Sequence, residues 1–513
     1  MNCPAVLNSL RDLSVICLGY SSRMNDKLSG HFKLKLIAFA ALAAILPAGC
    51  ATGAGAEQVV TNQSVGVQMF EWNWNSVARE CTSNLGPAGY GWVEISPPQE
   101  HIIGDQWWTH YQPVSYKLES NLGTRTEFAN MVDTCGKVGV SIIADAVINH
   151  MAASDTVGWA GTKHGKYDYP GLYSSADFHH CKSPSGGIED WNDLTQVQQC
   201  ELLGLSDLNT GSQTVRDKIV AYLKDLRSLG VKGFRVDAAK HIAVEDLKQI
   251  TSALPSDTSW LFEVYDGPAD PALYRAFGNT FGFNWAKSTP QMFNVPGMLG
   301  GQASAAVLST YDPSESTITM ITNHDTERDD STLNYLSGKK FELANMFMLA
   351  IPYGKPMVYS GYAFSDHDAG PAMDITGKTA DAVCPTKTSS TANAPADGRF
   401  ICEHRWPGIT GMVQWHKTVG DAKVQAVYNK GNAYGFSRGT KGFVLFNTGP
   451  AKFAKTVKTT LAAGTYCNQA LTGAQAKPSC AVSARVVVAK GGSTKLNLAA
   501  WSAVAISSAS KLK

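Results

Sequence analysis

The stretch Gly233-Phe-Arg-Val-Asp-Ala-Ala-Lys-His241 sets a cation, Arg235, and a carboxylate, Asp237, two residues apart. On a β-strand that spacing puts both on one face. Lys240 and His241 follow where the chain would leave the strand. Removing either charge from water costs several kcal/mol, so the two are expected as a pair. Alone, the stretch leaves a structural ion pair at a strand end as the lesser alternative. Three further stretches tip the reading toward chemistry: Asp145-Ala-Val-Ile-Asn-His150, Phe262-Glu-Val264 and Thr322-Asn-His-Asp325 each close an apolar run with an acid. Several acids meeting at one place suit cleavage of a glycosidic bond. One carboxylate attacks or stabilises the anomeric carbon, and a second, kept protonated, donates to the leaving oxygen. A third acid and an arginine separate the pKa values of the two.

These acids need elements to hold them. Val65–Phe70, Tyr90–Ile95, Val140–Asp145, Gly233–Asp237, Trp260–Glu263 and Ser316–Thr322 read as strands. Between them run helical patterns. One runs from Glu127 to Lys137 with Thr126 as cap, one from Ser212 to Leu229, and one from Phe341 to Ile351. Strand–helix alternation implies a parallel sheet, and acids at strand C-termini fit the active-site end of a (β/α)8 TIM barrel. Residues 149–205 break the alternation and read as an inserted loop-rich domain after strand 3. After Val413-Gln-Trp415, short strands (425–428, 434–438, 442–447, 485–489 and 504–506) read as an antiparallel β-sandwich. The expected division is a leader at 1–56, the barrel at 57–148 and 206–418, the insert at 149–205 and the sandwich at 419–513.

The totals narrow the partners. Of 513 residues, 44 are Lys or Arg and 43 Asp or Glu, so the net charge is +1. There is no electrostatic case for nucleic acid or an anionic membrane. Lys33 and Lys35, the apolar run Leu36–Leu46 and the site Ala54-Gly-Ala56 form a secretory leader that would free Glu57. Lipoprotein anchoring at Cys50 is the competing reading, weakened by Pro47, and Met24 is an alternative start. Eight cysteines follow the leader with no C-x-x-C pair, which implies four disulfides in an oxidising compartment.

The acid motifs, together with Ser96-Pro-Pro98, Trp107-Trp108, Tyr111-Gln-Pro-Val-Ser-Tyr116 and Glu403-His-Arg-Trp406, carry a resemblance that extends from about Val65 to the C-terminus. The chain resembles the α-amylases of the (β/α)8 glycoside hydrolases, and most of all the secreted animal type. The resemblance implies retaining endo-hydrolysis of α-1,4-glucan in starch or glycogen by a secreted monomer. It makes Asp237 the nucleophile, Glu263 the general acid/base and Asp325 the third acid. Arg235 would keep Asp237 ionised. His150, Lys240, His241 and His324 would meet the sugar, as would Tyr173 of the insert. Trp107, Trp108 and Tyr111, with Gln112 beside them, would form a stacking platform.

The resemblance also implies a structural Ca2+ held by side chains of Asn149 and Asp207 and by the carbonyls of Gln198 and His241, an oxygen set that suits the ion. Chloride, common in animal-type relatives, is doubtful. Arg235 and Asn323 match two of its ligands, but the position of the third, a basic residue, is Met357. Lys355, two residues earlier, is taken to point to the other face. The implied disulfides are Cys81–Cys135, Cys181–Cys200, Cys384–Cys402 and Cys467–Cys480.

Overall fold

A computed structural model describes residues 58–265, 267–386, 389–390 and 395–513. The expected leader, with Cys50 and its cleavage site, lies outside the described residues. Eight parallel strands close into a barrel: β1 (Gly66–Met69), β2 (Trp92–Ile95), β3 (Ser141–Ala146), β4 (Gly233–Val236), β5 (Ser259–Phe262), β6 (Asn279–Phe281), β7 (Thr317–Thr319) and β8 (Lys355–Ser360). The seam is β1, whose Gly66 pairs with Trp92 of β2 on one side and Met357 of β8 on the other. Both strands missing from the sequence reading, β6 and β8, are short or begin with polar residues and carry little alternation.

The longer helices around the barrel are α1 (Trp74–Glu80), α2 (Arg125–Lys137), α3 (Gln213–Ser228), α4 (Val244–Ser252), α5 (Phe283–Asn294), α6 (Lys339–Ala350) and α7 (Pro407–Val419). Thr124, not Thr126, caps α2. Its hydroxyl accepts from the Glu127 amide while Glu127 reaches back to the Thr124 amide, so the helix starts a turn earlier than its apolar stripe. The helices bury the outward residues of the strands, such as Phe234, Val236, Trp260 and Phe262.

Inward residues fall in layers. The lower layer is an apolar plug of Trp92, Ile143, Leu261, Phe281, Ile318, Met320 and Met357, each at most 5 % exposed. Gly66 has no side chain because the Trp92 indole fills that space; a Cβ there would lie 2.2 Å from it. Two residues beyond Trp92, Ile143 and Leu261 stand Glu94, Asp145 and Glu263, and β4 adds Arg235, in register with Asp145 and Leu261.

Between β3 and α3 the chain makes its long excursion, tied by Cys181–Cys200 and anchored where His150 pairs antiparallel with Asp207. Beyond α7 come two four-stranded antiparallel sheets. The first joins β9 (Val424–Lys430), β10 (Ala433–Arg438), β11 (Gly442–Asn447) and β16 (Ser502–Ser507). The second joins β12 (Phe453–Lys458), β15 (Ser493–Leu498), β14 (Arg485–Val488) and β13 (Gly464–Cys467). Phe443, Leu445, Val504 and Ile506 meet Val457, Tyr466, Val488 and Leu496 between the sheets. The opposite face of the first sheet packs on α6 and α7, with Phe446 5.7 Å from Phe347 and the Trp415 indole N–H donating to Ile506 O at 3.0 Å. The other three disulfides join Cys81 to Cys135, Cys384 to Cys402 and Cys467 to Cys480. No helix among the described residues is long and apolar enough to cross a membrane.

Candidate active site

The guanidinium of Arg235, 2 % exposed, is the hub at the C-terminal mouth of the barrel. Its Nη1 lies 2.8 Å from Asp145 Oδ2 and 2.8 Å from Asp237 Oδ1, and its Nη2 2.7 Å from Glu263 Oε1. Thus one cation joins carboxyls from β3, β4 and β5. Strand spacing explains the Arg235–Asp237 contact, and parallel register brings Asp145 beside Arg235.

After β4 the chain turns through Ala238 at φ 49°, a left-handed conformation a β-carbon disfavours. That turn aims the Ala238 N–H at Glu263 Oε2, 2.8 Å away, and seats Lys240 and His241 at the mouth. The Asp145 carboxyl also accepts from Tyr111 Oη at 2.9 Å.

Too many acids surround one cation for all to ionise freely. Burial is the largest influence and pushes Asp145 and Asp237 up to about 7, although Arg235 pulls both back. Glu94, one strand away, is pushed to about 8 by its enclosure. Near neutrality the set therefore keeps a proton that belongs to the group rather than to one member. Of Asp145 and Asp237, both bonded to Arg235, Asp237 is the one that also faces the cleft.

These groups open onto a cleft of about 700 Å³. Trp107, Trp108, Tyr111, Gln112, His150, Asp237, Lys240, His241, Glu263, His324 and Asp325 all line it. Asp325 is the most open of the acids, with its side chain 43 % exposed and Oδ2 3.4 Å from His324 Nε2. Trp107 is fixed by its indole N–H donating to His367 O at 2.9 Å. His150 and His241 are both held neutral by burial, at about 4.

Two expected sugar contacts are placed elsewhere. Tyr173 is 3 % exposed and outside the cleft lining; its hydroxyl meets that of Tyr116 at 3.1 Å and its ring packs on Phe178. The aromatic that the insert does bring to the cleft is Trp191, 45 % exposed, with Lys240 Nζ 5.7 Å from its ring. Arg235 sits beneath the acids and does not line the cleft. The sequence reading also missed Leu202, Leu203, Leu205, Tyr265, Phe283, Asp329 and Asp368 on the walls. Trp191, an aromatic between Asp190 and Asn192, carried the same signal as Trp107-Trp108.

The four residues considered for a cation fall in two pairs. Asn149 Nδ2 stands 3.3 Å from Asp207 Oδ1, both buried, and Gln198 Nε2 stands 3.5 Å from the carbonyl of Lys240, next to His241. The Asp207 carboxyl has one ionisable partner, His179 at 2.6 Å, and burial raises it to about 6. A buried carboxyl short of counter-charge among amide oxygens fits a hard cation. Among the described residues no cluster of three His, Cys, Asp or Glu is disposed to hold a metal.

One sequence reading about anions is corrected. Residues two apart on a strand share a face, so Lys355 and Met357 both point inward, one layer apart. Lys355 Nζ reaches Asn279 Oδ1 at 2.5 Å at the barrel floor, and Met357 joins the plug.

The comparisons with known proteins agree with this arrangement. The α-amylase catalytic domain matches residues 105–281, and the α-amylase C-terminal all-beta domain matches residues 426–509. The α-amylase of Streptomyces violaceus is 43 % identical over 84 % of this chain and 74 % of its own. An α-amylase-related protein of Drosophila melanogaster is 38 % identical over 79 % of this chain and 85 % of its own. The crystal structure of the E249Q mutant of α-amylase I from Eisenia fetida, a complex with maltohexaose, superposes with a TM-score of 0.79 at 28 % identity, covering 88 % of this chain and 99 % of that one. With its barrel, its clustered acids and its C-terminal sheets, the chain belongs to the α-amylase family of glycoside hydrolases.

Proposed function

We propose that this enzyme hydrolyses internal α-1,4-glucosidic bonds of starch, glycogen and maltooligosaccharides with retention of anomeric configuration. The observation that carries the reading is the shared guanidinium: Asp237 and Glu263 both bind Arg235 under an aromatic-walled cleft. One cation bridging two carboxyls favours the closer spacing, about 5 Å, that double displacement uses, over the wider one of inverting enzymes. Asp237 is the nucleophile, kept anionic by Arg235. Glu263 protonates the leaving oxygen and then, as an anion, activates water. Both its oxygens accept hydrogen bonds, from Arg235 and from the Ala238 amide, which is the geometry of the second step. Asp325, the most open of the acids, orients sugar hydroxyls together with His324, and His150, Lys240 and His241 line the same cleft. Trp107, Trp108 and Tyr111 stack on sugar faces, with Gln112 beside them and Trp191 in the place expected for Tyr173.

Ca2+ would be held by Asn149, Asp207 and the carbonyls of Gln198 and His241, and when bound it supplies a structural clamp between the excursion and the barrel. The eight disulfide-bonded cysteines and the leader read from the sequence support an extracellular enzyme, which we expect to act as a monomer. We also expect activity independent of chloride, since Met357 is apolar and Lys355 is engaged at the floor. Chloride added to dialysed enzyme should leave the rate unchanged; a several-fold rise would sink that point.

Purified mature chain should release reducing sugar from soluble starch with new α-anomeric ends by NMR, and Asp237→Asn should release none. Glucan remodelling without new reducing ends would indicate a transglycosylase. Intact starch with both proteins would indicate a glucan-binding relative.

A further inference from the structure

His324 is a wall of the cleft, and its surroundings constrain which of its nitrogens carries the proton. The ring is sandwiched between Phe70, 4.6 Å away and 15° from parallel, and Tyr111, 5.3 Å away at 17°. It is 2 % exposed, and burial beside Arg235 and Arg328 holds it neutral. A neutral imidazole has one N–H and one lone pair. Nε2 faces Asp325 Oδ2 at 3.4 Å, and Nδ1 faces inward to Gln68 Nε2 at 3.1 Å.

Gln68 lies on β1, 4 % exposed, one layer above the plug. Its amide nitrogen has two hydrogens and two acceptors: His324 Nδ1, and Glu94 Oε1 at 2.8 Å. With both hydrogens given away, Nδ1 must be the lone-pair nitrogen. Turning the amide over would demand a proton on Nδ1 and would set the bare Nε2 lone pair against the Asp325 carboxylate. The Asp325 end of the ring selects the first arrangement, with the proton on Nε2.

We propose that Gln68 is a positioning residue which, braced by Glu94, fixes His324 with its proton on Nε2, so that His324 is a hydrogen-bond donor into the cleft. The ligand it serves is an electron-rich oxygen, a sugar hydroxyl or Asp325 itself. The role deepens the glucan-hydrolase reading and rests on it only for the identity of that oxygen. Position 68 carries no acid and lies in no acid motif, so nothing in the residue pattern singles it out.

The test is the tautomer itself. In wild-type enzyme labelled with 15N-histidine, free of substrate at neutral pH, His324 (assigned by its loss in His324→Gln) should show a protonated Nε2 and an unprotonated Nδ1. In Gln68→Met, of similar size, the two nitrogens should shift toward the averaged values of a mixed tautomer. Its kcat on maltooligosaccharide should fall about tenfold, below the loss of a whole oxyanion-type donor, with KM within about threefold. A protonated Nδ1 in wild type overturns the proposal, and so does a Gln68→Met enzyme with an unchanged spectrum. If Gln68→Met does not fold, the wild-type spectrum decides alone. Wild type inert toward starch but with the expected spectrum would overturn the substrate reading and leave the tautomer assignment standing.

Discussion

Two layers of the same barrel, one residue pair apart, do opposite work. The lower holds Trp92, Ile143, Leu261 and Met357 in an apolar plug. The upper, on the same inward face, holds Glu94, Asp145 and Glu263 around the Arg235 guanidinium. The step between them is about 6.6 Å along a strand. The lower layer gains stability by excluding water and filling space. The upper layer gives some up, since buried carboxyls around a single cation repel one another, and what it obtains is a set of acids with separated proton affinities. The barrel is therefore an anchor below and a strained electrostatic site above.

That contrast can be broken from either side. The largest effect should come from Glu263→Gln, which removes the proton donor: starch hydrolysis falls by on the order of 10⁴-fold or more, while the melting temperature by calorimetry stays within a few degrees. Arg235→Met should hit both properties. With the shared cation gone, Asp145, Asp237 and Glu263 face one another in a buried site, and urea titration should show a loss of about 3–5 kcal/mol alongside lost activity. A protein of undiminished stability would mean that the acids do not depend on Arg235.

Gly66→Ala addresses the lower layer alone. Its new carbon meets the Trp92 ring at 2.2 Å, so unfolding should cost about 1–3 kcal/mol less, with kcat per folded molecule unchanged. A fall in kcat would show that plug and site are mechanically joined.

The smallest effect is graded with pH. Burial raises Glu94 and Glu403 from 4.5 to about 8 and Glu327 to about 7. Each is protonated in the fold where the unfolded chain has released its proton. Their contribution is complete below about 4.5 and is lost as pH rises to about 8. Urea midpoints should therefore decline from pH 5 to pH 8, and Glu403→Gln should make the decline shallower. An increase over that window would contradict the burial of these three.

The upper layer was largely legible in the sequence because charges are rare on apolar strands, and Asp145, Arg235, Asp237, Glu263 and Asp325 each interrupt such a run. The barrel was legible from strand–helix alternation, though β6, only three residues long, and β8, which opens on Lys355-Pro356, were not. The sandwich strands β12, β13 and β15 were missed as well: β12 and β13 each bury only one or two of their residues, and β15 alternates buried Leu496 and Leu498 with exposed Lys495 and Asn497, a legible pattern that went unread. Tyr173 was misplaced because an aromatic in a loop can turn either way, and only the packing on Tyr116 and Phe178 decided it. Gln68 was invisible because its importance lies in two partners distant in the chain, Glu94 and His324.

The seam between β1 and β8 also sets an order of events in time. Gly66 can pair with Trp92 early in synthesis, but its other neighbour, Met357, arrives only after most of the barrel has been made. Pairings between such distant segments form late and slowly. Until that last strand docks, the barrel is an open sheet with two unpaired edges, and Gln68 and Tyr359, paired across the seam, have no partner opposite. A chain that lacks this last pairing is both catalytically incomplete and adhesive, and closing the seam completes the site and removes the exposed edges together.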